Sequence, residues 1–420
     1  MQQITQMLWG GILPVLLILT AILYLIRLRG LPVFGLHRVL RDTYGSLLRH
    51  PDAAQRRIFA SALAATMGTG NLAGTALALA SGGPGAVFWM WISALLGTEL
   101  VCAENLLSAR FRSKNAGGAL GYLRAAFKSK IPVTVFAVCC ICASLGMGNL
   151  VQSSTIAQSA AEFGIPLPIS GLITALLLGI LILGGISRVR RFADRLMPLL
   201  CGLYLLGCTV LLCRHAAALP GAFASIFHHA LGLRAAGSGF TAAILLRSAA
   251  EGLKRGIFSN EAGLGSSGLL HMDAEGGAQW KWAAAEVFAD TVICCTMTAL
   301  VILTAPGIAL SGTDPAALLL RAFSSGLGRV AGLFLAVNMI LFAFATIIGW
   351  YPCGLTAFRY LFGSGADGVY SVLCITAAFA GALGNPVLLW SLCDLCNGCM
   401  ALPNLLGLLR LRRDVRAEDL

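Results

Sequence analysis

The sequence predicts an all-α polytopic membrane protein of eleven transmembrane helices, ten of them forming two inverted halves of five, with one additional N-terminal helix outside that core. Three observations carry the expectation. Hydrophobic residues make up 58% and charged residues 11% of 420 residues. Apolar runs near the roughly 20 residues that cross a bilayer recur along the whole chain. Two glycine-rich polar interruptions lie five spans apart. With a mean hydropathy of +0.83, a soluble domain is excluded.

The runs lie near 8–28, 57–80, 85–109, 132–161, 167–187, 193–213, 240–270, 283–305, 328–358, 367–385 and 386–409. The first, within residues 1–30, is the additional helix. Met1–Gln6 lacks a basic region and no small-residue cleavage site follows, so a retained span is expected in place of a signal peptide. The second span contains Gly68-Thr69-Gly70-Asn71. Glycine is a poor helix former, and Thr and Asn compete for backbone amides and carbonyls, so the helix should break there. A glycine-packed helix crossing is the plainer reading, but it needs no Thr-Gly-Asn. Unwound backbone at membrane depth is tolerated only where protein buries it or a polar cavity borders it.

The seventh span holds the second interruption, Ser259-Asn260-Glu261-Ala262-Gly263-Leu264-Gly265-Ser266. Five spans on, it crosses the membrane in the opposite direction. Residues 57–213 and 238–410 are then inverted halves of a single transmembrane domain, 1–420 overall. Paired broken helices of this kind point to the binding site of a secondary transporter.

Of the 30 Lys and Arg, 23 fall on one side if the spans alternate, including Arg27 to Arg57, Arg110 to Lys130, Arg188 to Arg195 and Arg410 to Arg416. Only Arg214, Arg234, Arg321 and Arg329 lie in the opposite loops. Basic loops stay cytoplasmic, which puts the N-terminus outside and the C-terminus inside. The net charge of +12 therefore reflects membrane topology, and no nucleic-acid partner is expected. The fourteen cysteines sit almost wholly in apolar segments and read as packing residues. Cys393, Cys396 and Cys399 lie along one helical face, a pattern open to packing or to a metal or redox centre.

At this point the residues resemble a family. Gly68-Thr69-Gly70-Asn71-Leu72-Ala73-Gly74, with Gly82-Gly83-Pro84-Gly85-Ala86-Val87-Phe88-Trp89-Met90-Trp91, is similar to the alanine or glycine:cation symporter family. The likeness continues through Gly148-Asn149-Leu150-Val151-Gln152, Arg255 to Ser266, Phe344-Ala345-Thr346-Ile347-Ile348-Gly349-Trp350, and Asp394 with Asn397-Gly398 and Pro403-Asn404-Leu405. It covers roughly residues 45 to 410. The resemblance implies a LeuT-type core plus one N-terminal helix, and uptake of alanine or glycine driven by sodium across a bacterial inner membrane. It implies no prosthetic cofactor.

A zwitterionic amino acid needs donors for its carboxylate, acceptors for its ammonium and a small apolar wall. Free amides at Gly68, Thr69, Gly70 and Asn71, near a half-helix terminus, suit the carboxylate. Carbonyls there and around Gly263 and Gly265 suit the ammonium. Gln152 offers both donors and an acceptor, either to substrate or across helices. Trp350, four residues beyond Thr346 on the same helical face, forms the wall in the reading that the resemblance supports. The resemblance also implies a sodium ion between the first break, at Thr66 and Met67, and Thr346. There the family usually has Ser-Thr and this chain has Ala345-Thr346, so one hydroxyl is missing and proton coupling stays open.

Other ionisable residues within spans are suspects by default. Glu286, Asp290 and Asp394 read as partners of polar or basic groups, or as ion-coupling carboxylates. Glu261 reads as a cap for an exposed helix N-terminus. Glu104 lacks the Lys the family commonly has three positions earlier, where Val101 stands, and must pair elsewhere or be neutral. The family's Ala-Pro is replaced by Ser267-Gly268. His271 and Asp273 read as a surface pair. No Gly-x-x-x-x-Gly-Lys-Ser/Thr loop is present, so ATP-driven pumping is not expected. A membrane metal or redox protein, a channel and a non-transporting sensor are the competing classes. The oligomeric state is not legible.

Overall fold

The computed structural model describes residues 8–49, 53–113, 116–232, 239–273, 279–310 and 313–420. Met1–Gln6, Lys114 and Arg234, which entered the reading above, lie outside the described residues. In chain order the helices, a single turn at Leu31–Phe34 aside, are α1 (Leu13–Arg27), α2 (Leu36–Arg49), α3 (Ala53–Thr66), α4 (Thr75–Gly82), α5 (Gly85–Arg110), α6 (Gly118–Ala126), α7 (Ile131–Leu145) and α8 (Val151–Ala161). Then come α9 (Leu167–Ile182), α10 (Ile186–Arg214), α11 (Leu219–Leu231), α12 (Gly239–Asn260), α13 (Ser266–Leu270), α14 (Gln279–Val287) and α15 (Thr296–Thr304). The last four are α16 (Pro315–Leu327), α17 (Ala331–Phe362), α18 (Asp367–Leu383) and α19 (Pro386–Arg410). Among the described residues the only extended pairing is an isolated bridge between Ser113 and Ala116.

Seven helical stretches among the described residues are long and apolar enough to cross a membrane, and three shorter apolar helices accompany them. The solvent they are built for is visible in α9. Its buried face carries mostly small or polar residues, Ser170, Gly171, Thr174, Ala175 and Gly179 beside Leu178 and Ile182, whereas Leu172, Ile173, Leu176, Leu177 and Ile180 are exposed. In water this would be inside out. In lipid, small residues let helices approach closely while large apolar ones face acyl chains. A Cβ added at Gly171 would come within 2.7 Å of Ala382 Cβ on α18, so that crossing depends on glycine.

The first interruption is narrower than the sequence suggests. α3 runs to Thr66, and the chain resumes at Gly70 as a π-helix, Gly70–Gly74. Gly70 and Asn71 therefore lie in a widened helical turn, and only Met67 and Gly68 leave the helix. The second is a full break. α12 keeps Ser259 and Asn260, and then Glu261, Gly263 and Gly265 take left-handed backbone at φ 53°, 82° and 81°. Glycine adopts this freely. At Glu261 it costs about 1–3 kcal/mol and needs surrounding contacts to hold it. Two more π-helices, Gly146–Leu150 between α7 and α8 and Phe288–Cys295 between α14 and α15, re-aim side chains beside the breaks.

The pieces pack in a definite pattern. α3 lies against α10 and α17, and α12 against α5. α5 packs on α14, α7 on α17, and α9 on α18. α19 lies along α7, and α10 along α17. α1 packs outside this set, on α5 and α19.

Candidate functional site

The first break is surrounded by four elements. Asn71, fully buried, accepts from its own Gly68 N–H through Oδ1 at 2.9 Å, which folds the break back on itself. Its Nδ2 donates to Asp290 Oδ1 at 2.6 Å. Ser259, near the end of α12, donates to the other oxygen, Asp290 Oδ2, at 2.6 Å, and Thr291 Oγ1 does so at 2.8 Å. One buried carboxylate thus gathers donors from both broken helices. Asp290 therefore has polar partners, as the sequence allows, but its place is at the centre of the breaks. The π-helix Phe288–Cys295 turns it inward, and it also brings Cys295 Sγ to 3.4 Å from Asn71 Nδ2.

Gly68 packs directly on α17. A Cβ there would stand 2.5 Å from Thr346 Oγ1, so only glycine lets the unwound segment reach that hydroxyl. Thr346 is buried and donates to Phe342 O at 3.0 Å, which leaves its lone pairs facing the Gly68 backbone. Gly70 differs: it is half-buried, and a Cβ there would meet no heavy atom within 4 Å. Thr69 Oγ1 donates to Gln152 Oε1 at 3.2 Å, and Gln152 Nε2 donates to Met147 O at 3.1 Å, within the π-helix Gly146–Leu150. Gln152 is thereby brought to the break, in an interhelical hydrogen bond. Met67 is buried against Cys201, whose Sγ lies 3.8 Å from its Sδ.

Trp350 is fully buried on the same helix as Thr346. Its Nε1 donates to Glu261 Oε1 at 2.9 Å, which fastens the left-handed residue of the second break. A Cβ on Gly148 would sit 2.5 Å from Trp350 Cβ, so α17 and the Gly146–Leu150 turn meet through that glycine. Gly263 and Gly265 have other surroundings. Gly265 N donates to Glu104 Oε1 at 3.1 Å, and Asn404 Nδ2 donates both to Glu104 Oε1 at 2.7 Å and to Gly263 O at 2.9 Å. Tyr122 closes the set by donating to Asn404 Oδ1 at 2.6 Å. A Cβ at Gly263 would collide with Leu17 of α1. The structure therefore joins Gly68, Thr69, Asn71, Gln152 and Thr346 directly, and ties Trp350 to the second break through Glu261. It gives Gly263 and Gly265 a separate network, in which Glu104 pairs with neutral donors.

Two readings are corrected. His271 and Asp273 are not a surface pair: His271 is fully buried with Nε2 2.6 Å from Glu286 Oε2, while Asp273 meets Arg190 at 2.7 Å and Arg112 at 3.5 Å. Glu261 is a hydrogen-bond acceptor for Trp350. Thr66 has its hydroxyl on Glu286 Oε1 at 2.8 Å. Asp394 lies in the field of Lys254 and Arg255, and its backbone carbonyl accepts from Trp9 Nε1 at 2.8 Å. The thiols of α19 pair with those of α7 across the helix crossing, Cys396 with Cys142 and Cys399 with Cys139. Cys393 lies opposite Gly146, where a Cβ would be 3.1 Å from its sulfur. Among the described residues no group of three or more His, Cys, Asp or Glu is arranged to hold a metal ion. The inward turn at Asp290 escapes a local reading, because a π-helix leaves no mark in residue spacing.

An apolar helical assembly whose broken helices meet around buried polar groups belongs to the class of secondary transporters. Comparison with known proteins supplies the family. The sodium:alanine symporter family model matches residues 1–418, and the chain belongs to that family. It is 34% identical to the sodium/alanine symporter AgcS of Methanococcus maripaludis, over 99% of this chain and 95% of that protein. It is 33% identical to the probable sodium/glutamine symporter GlnT of Bacillus subtilis, over 98% and 87% of the two chains. A putative sodium/proton-dependent alanine carrier, YrbD of Bacillus subtilis, is 30% identical over 84% and 77%. The protein is thus a multi-pass membrane symporter of amino acids, coupled to sodium, and is not an enzyme.

Proposed function

We propose that this protein takes up a small neutral amino acid, alanine or glycine, together with sodium, by alternating access across a bacterial inner membrane. The arrangement is eleven spans with the N-terminus outside and the C-terminus in the cytoplasm. Its LeuT-type core has inverted halves at 57–213 and 238–410. The packing supports this repeat: α5 with α14, α7 with α17 and α9 with α18 are each a contact between equivalent helices of the two halves. The partner pairs α7–α19 and α17–α10 are likewise exchanged by the same operation.

The observation that carries the reading is the closeness of Gly68 to Thr346 Oγ1. A monovalent cation takes neutral oxygens, and the backbone of Thr66 and Met67 with the Thr346 hydroxyl offers them at one crossing. The substrate lies beside it, against Gly68, Thr69, Gly70, Asn71 and Gln152. Trp350 forms its wall, and Gly263 and Gly265 keep the second break in shape. The open space beside Gly70 suits a substrate of a few atoms. Alanine uptake into proteoliposomes, driven by sodium and by pH gradients imposed separately, tests the whole reading. Proton coupling is the second reading, favoured by the absent hydroxyl at Ala345 and by Asp290, a buried carboxylate bonded to both broken helices.

A further inference from the structure

Glu286 is the second buried carboxylate that joins the two broken helices, and the cation and substrate site described above does not use it. Its two oxygens are divided between them. Oε1 accepts from Thr66 Oγ1 at 2.8 Å, and Thr66 is the last residue of α3 before the first break. Oε2 lies 2.6 Å from His271 Nε2, and His271 directly follows α13, the short helix that resumes after the second break. All three residues are buried, with His271 fully inaccessible and Glu286 4% exposed. The His271 Nδ1 atom is buried without a hydrogen-bond partner, so the imidazole is held from one side only, by Glu286.

What lies next to this chain of contacts gives it a direction. Met272 and Asp273, immediately after His271, line a cleft of about 630 Å³ shared with Arg112, Tyr360, Arg359 and Ser364. The order from cleft to break is therefore cleft, His271, Glu286, Thr66, first break. The clasp therefore stands between the first break and this cleft. Glu286 itself stands on α14, so parting α3 from α13 takes at least one partner from the carboxylate, and the buried oxygen left without it must gain water. Opening toward the cleft and hydration of Glu286 are then a single event.

We propose that Glu286, clasped between His271 and Thr66, is the positioning residue that keeps both broken helices closed toward this cleft, and that the clasp parts once in each transport cycle. The proposal rests on the transporter reading above, and its test has a readout that needs no substrate. Cys295 is 2% exposed, and its sulfur lies 3.4 Å from both Asn71 Nδ2 and Ser259 Oγ, at the far side of the clasp from the cleft. Its modification by a membrane-impermeant maleimide, quantified peptide by peptide in membranes that expose the cleft side, reports opening.

Glu286→Gln and His271→Ala should raise the Cys295 labelling rate about tenfold, as expected when an open–closed equilibrium loses a stabilising pair. His271→Gln retains an N–H donor toward Glu286 and should label close to the wild-type rate. Substrate Kd in detergent should stay near wild type in all three, while net uptake falls about tenfold in the first two, because the cycle then stalls open. If His271→Ala fails to assemble, the near-isosteric Glu286→Gln and the donor-retaining His271→Gln carry the comparison. Unchanged Cys295 labelling in Glu286→Gln overturns the clasp, whether or not uptake falls. A loss of affinity parallel to the loss of uptake, with labelling unchanged, also overturns it and leaves a purely structural role. A wild-type protein that takes up no amino acid overturns the function, and the labelling comparison still stands or fails on its own.

Discussion

Gly68 and Gly70 stand two positions apart and do different work. Gly68 is glycine because Thr346 Oγ1 occupies the place of its Cβ. Gly70 faces open space, since a Cβ there meets no heavy atom of a neighbouring element within 4 Å, and a longer side chain would extend into the room beside the break. Gly70→Leu should therefore insert and fold normally yet lose alanine binding, measured by equilibrium binding to purified protein. Near-normal affinity would remove this space from the substrate site. Trp350→Ala should shift competition among glycine, alanine, valine and leucine toward the larger side chains. The shift should be partial, because a methylene in an apolar pocket is worth about 1–3 kcal/mol. An unchanged profile would reduce Trp350 to its role as donor to Glu261. These residues were legible in the sequence, since glycine, Thr and Asn inside an apolar window have no role in a plain span. The His271–Glu286 contact was not. Its partners are fifteen positions apart, and the nearer Asp273 offered a local match that the fold assigns to Arg190 and Arg112 instead.

Helices carry a second kind of information. The three cysteines of α19 suggested either packing or a metal centre, and the fold lays two of them against Cys142 and Cys139 of α7, with Gly146 opposite the third. The numbers run in opposite directions along the two helices, as an antiparallel crossing requires. Mild oxidation with copper–phenanthroline should therefore yield disulfide-linked peptides joining Cys142 to Cys396 and Cys139 to Cys399, identified by mass spectrometry. Crosslinks in any other pairing would contradict the register of α7 on α19. The hydropathy reading has its support in seven helical stretches among the described residues that are long and apolar enough to cross a membrane. It overstated the first break, because a π-helix keeps the chain helical through Gly70 and Asn71 while widening the turn. The same invisibility hid the turn that aims Asp290 between Asn71 and Ser259. A π-helix differs from an α-helix by one hydrogen-bond register, and residue propensities do not report it.

At the scale of the molecule, the two breaks meet around buried carboxylates. In the reading proposed above, coupling and gating share these few contacts. Asp290 joins the breaks at the substrate side, and Glu286 joins them toward the cleft. The relative named as a sodium/glutamine symporter and that named as a sodium/proton-dependent alanine carrier differ in cargo and in ion. In this chain the departure lies at Ala345, fully buried next to Thr346. A partly dehydrated ion depends on each remaining oxygen, so a missing hydroxyl should weaken sodium binding without abolishing it. Ala345→Ser should then lower the half-saturating sodium concentration for uptake. The most direct test of the central claim is labelled alanine uptake by proteoliposomes holding either wild type or Thr346→Ala, under a sodium gradient alone and under a pH gradient alone. Uptake by wild type is expected only with the sodium gradient, with near-complete loss of that dependence in Thr346→Ala. Wild-type uptake that follows the pH gradient, ignores sodium and is untouched by Thr346→Ala would contradict it.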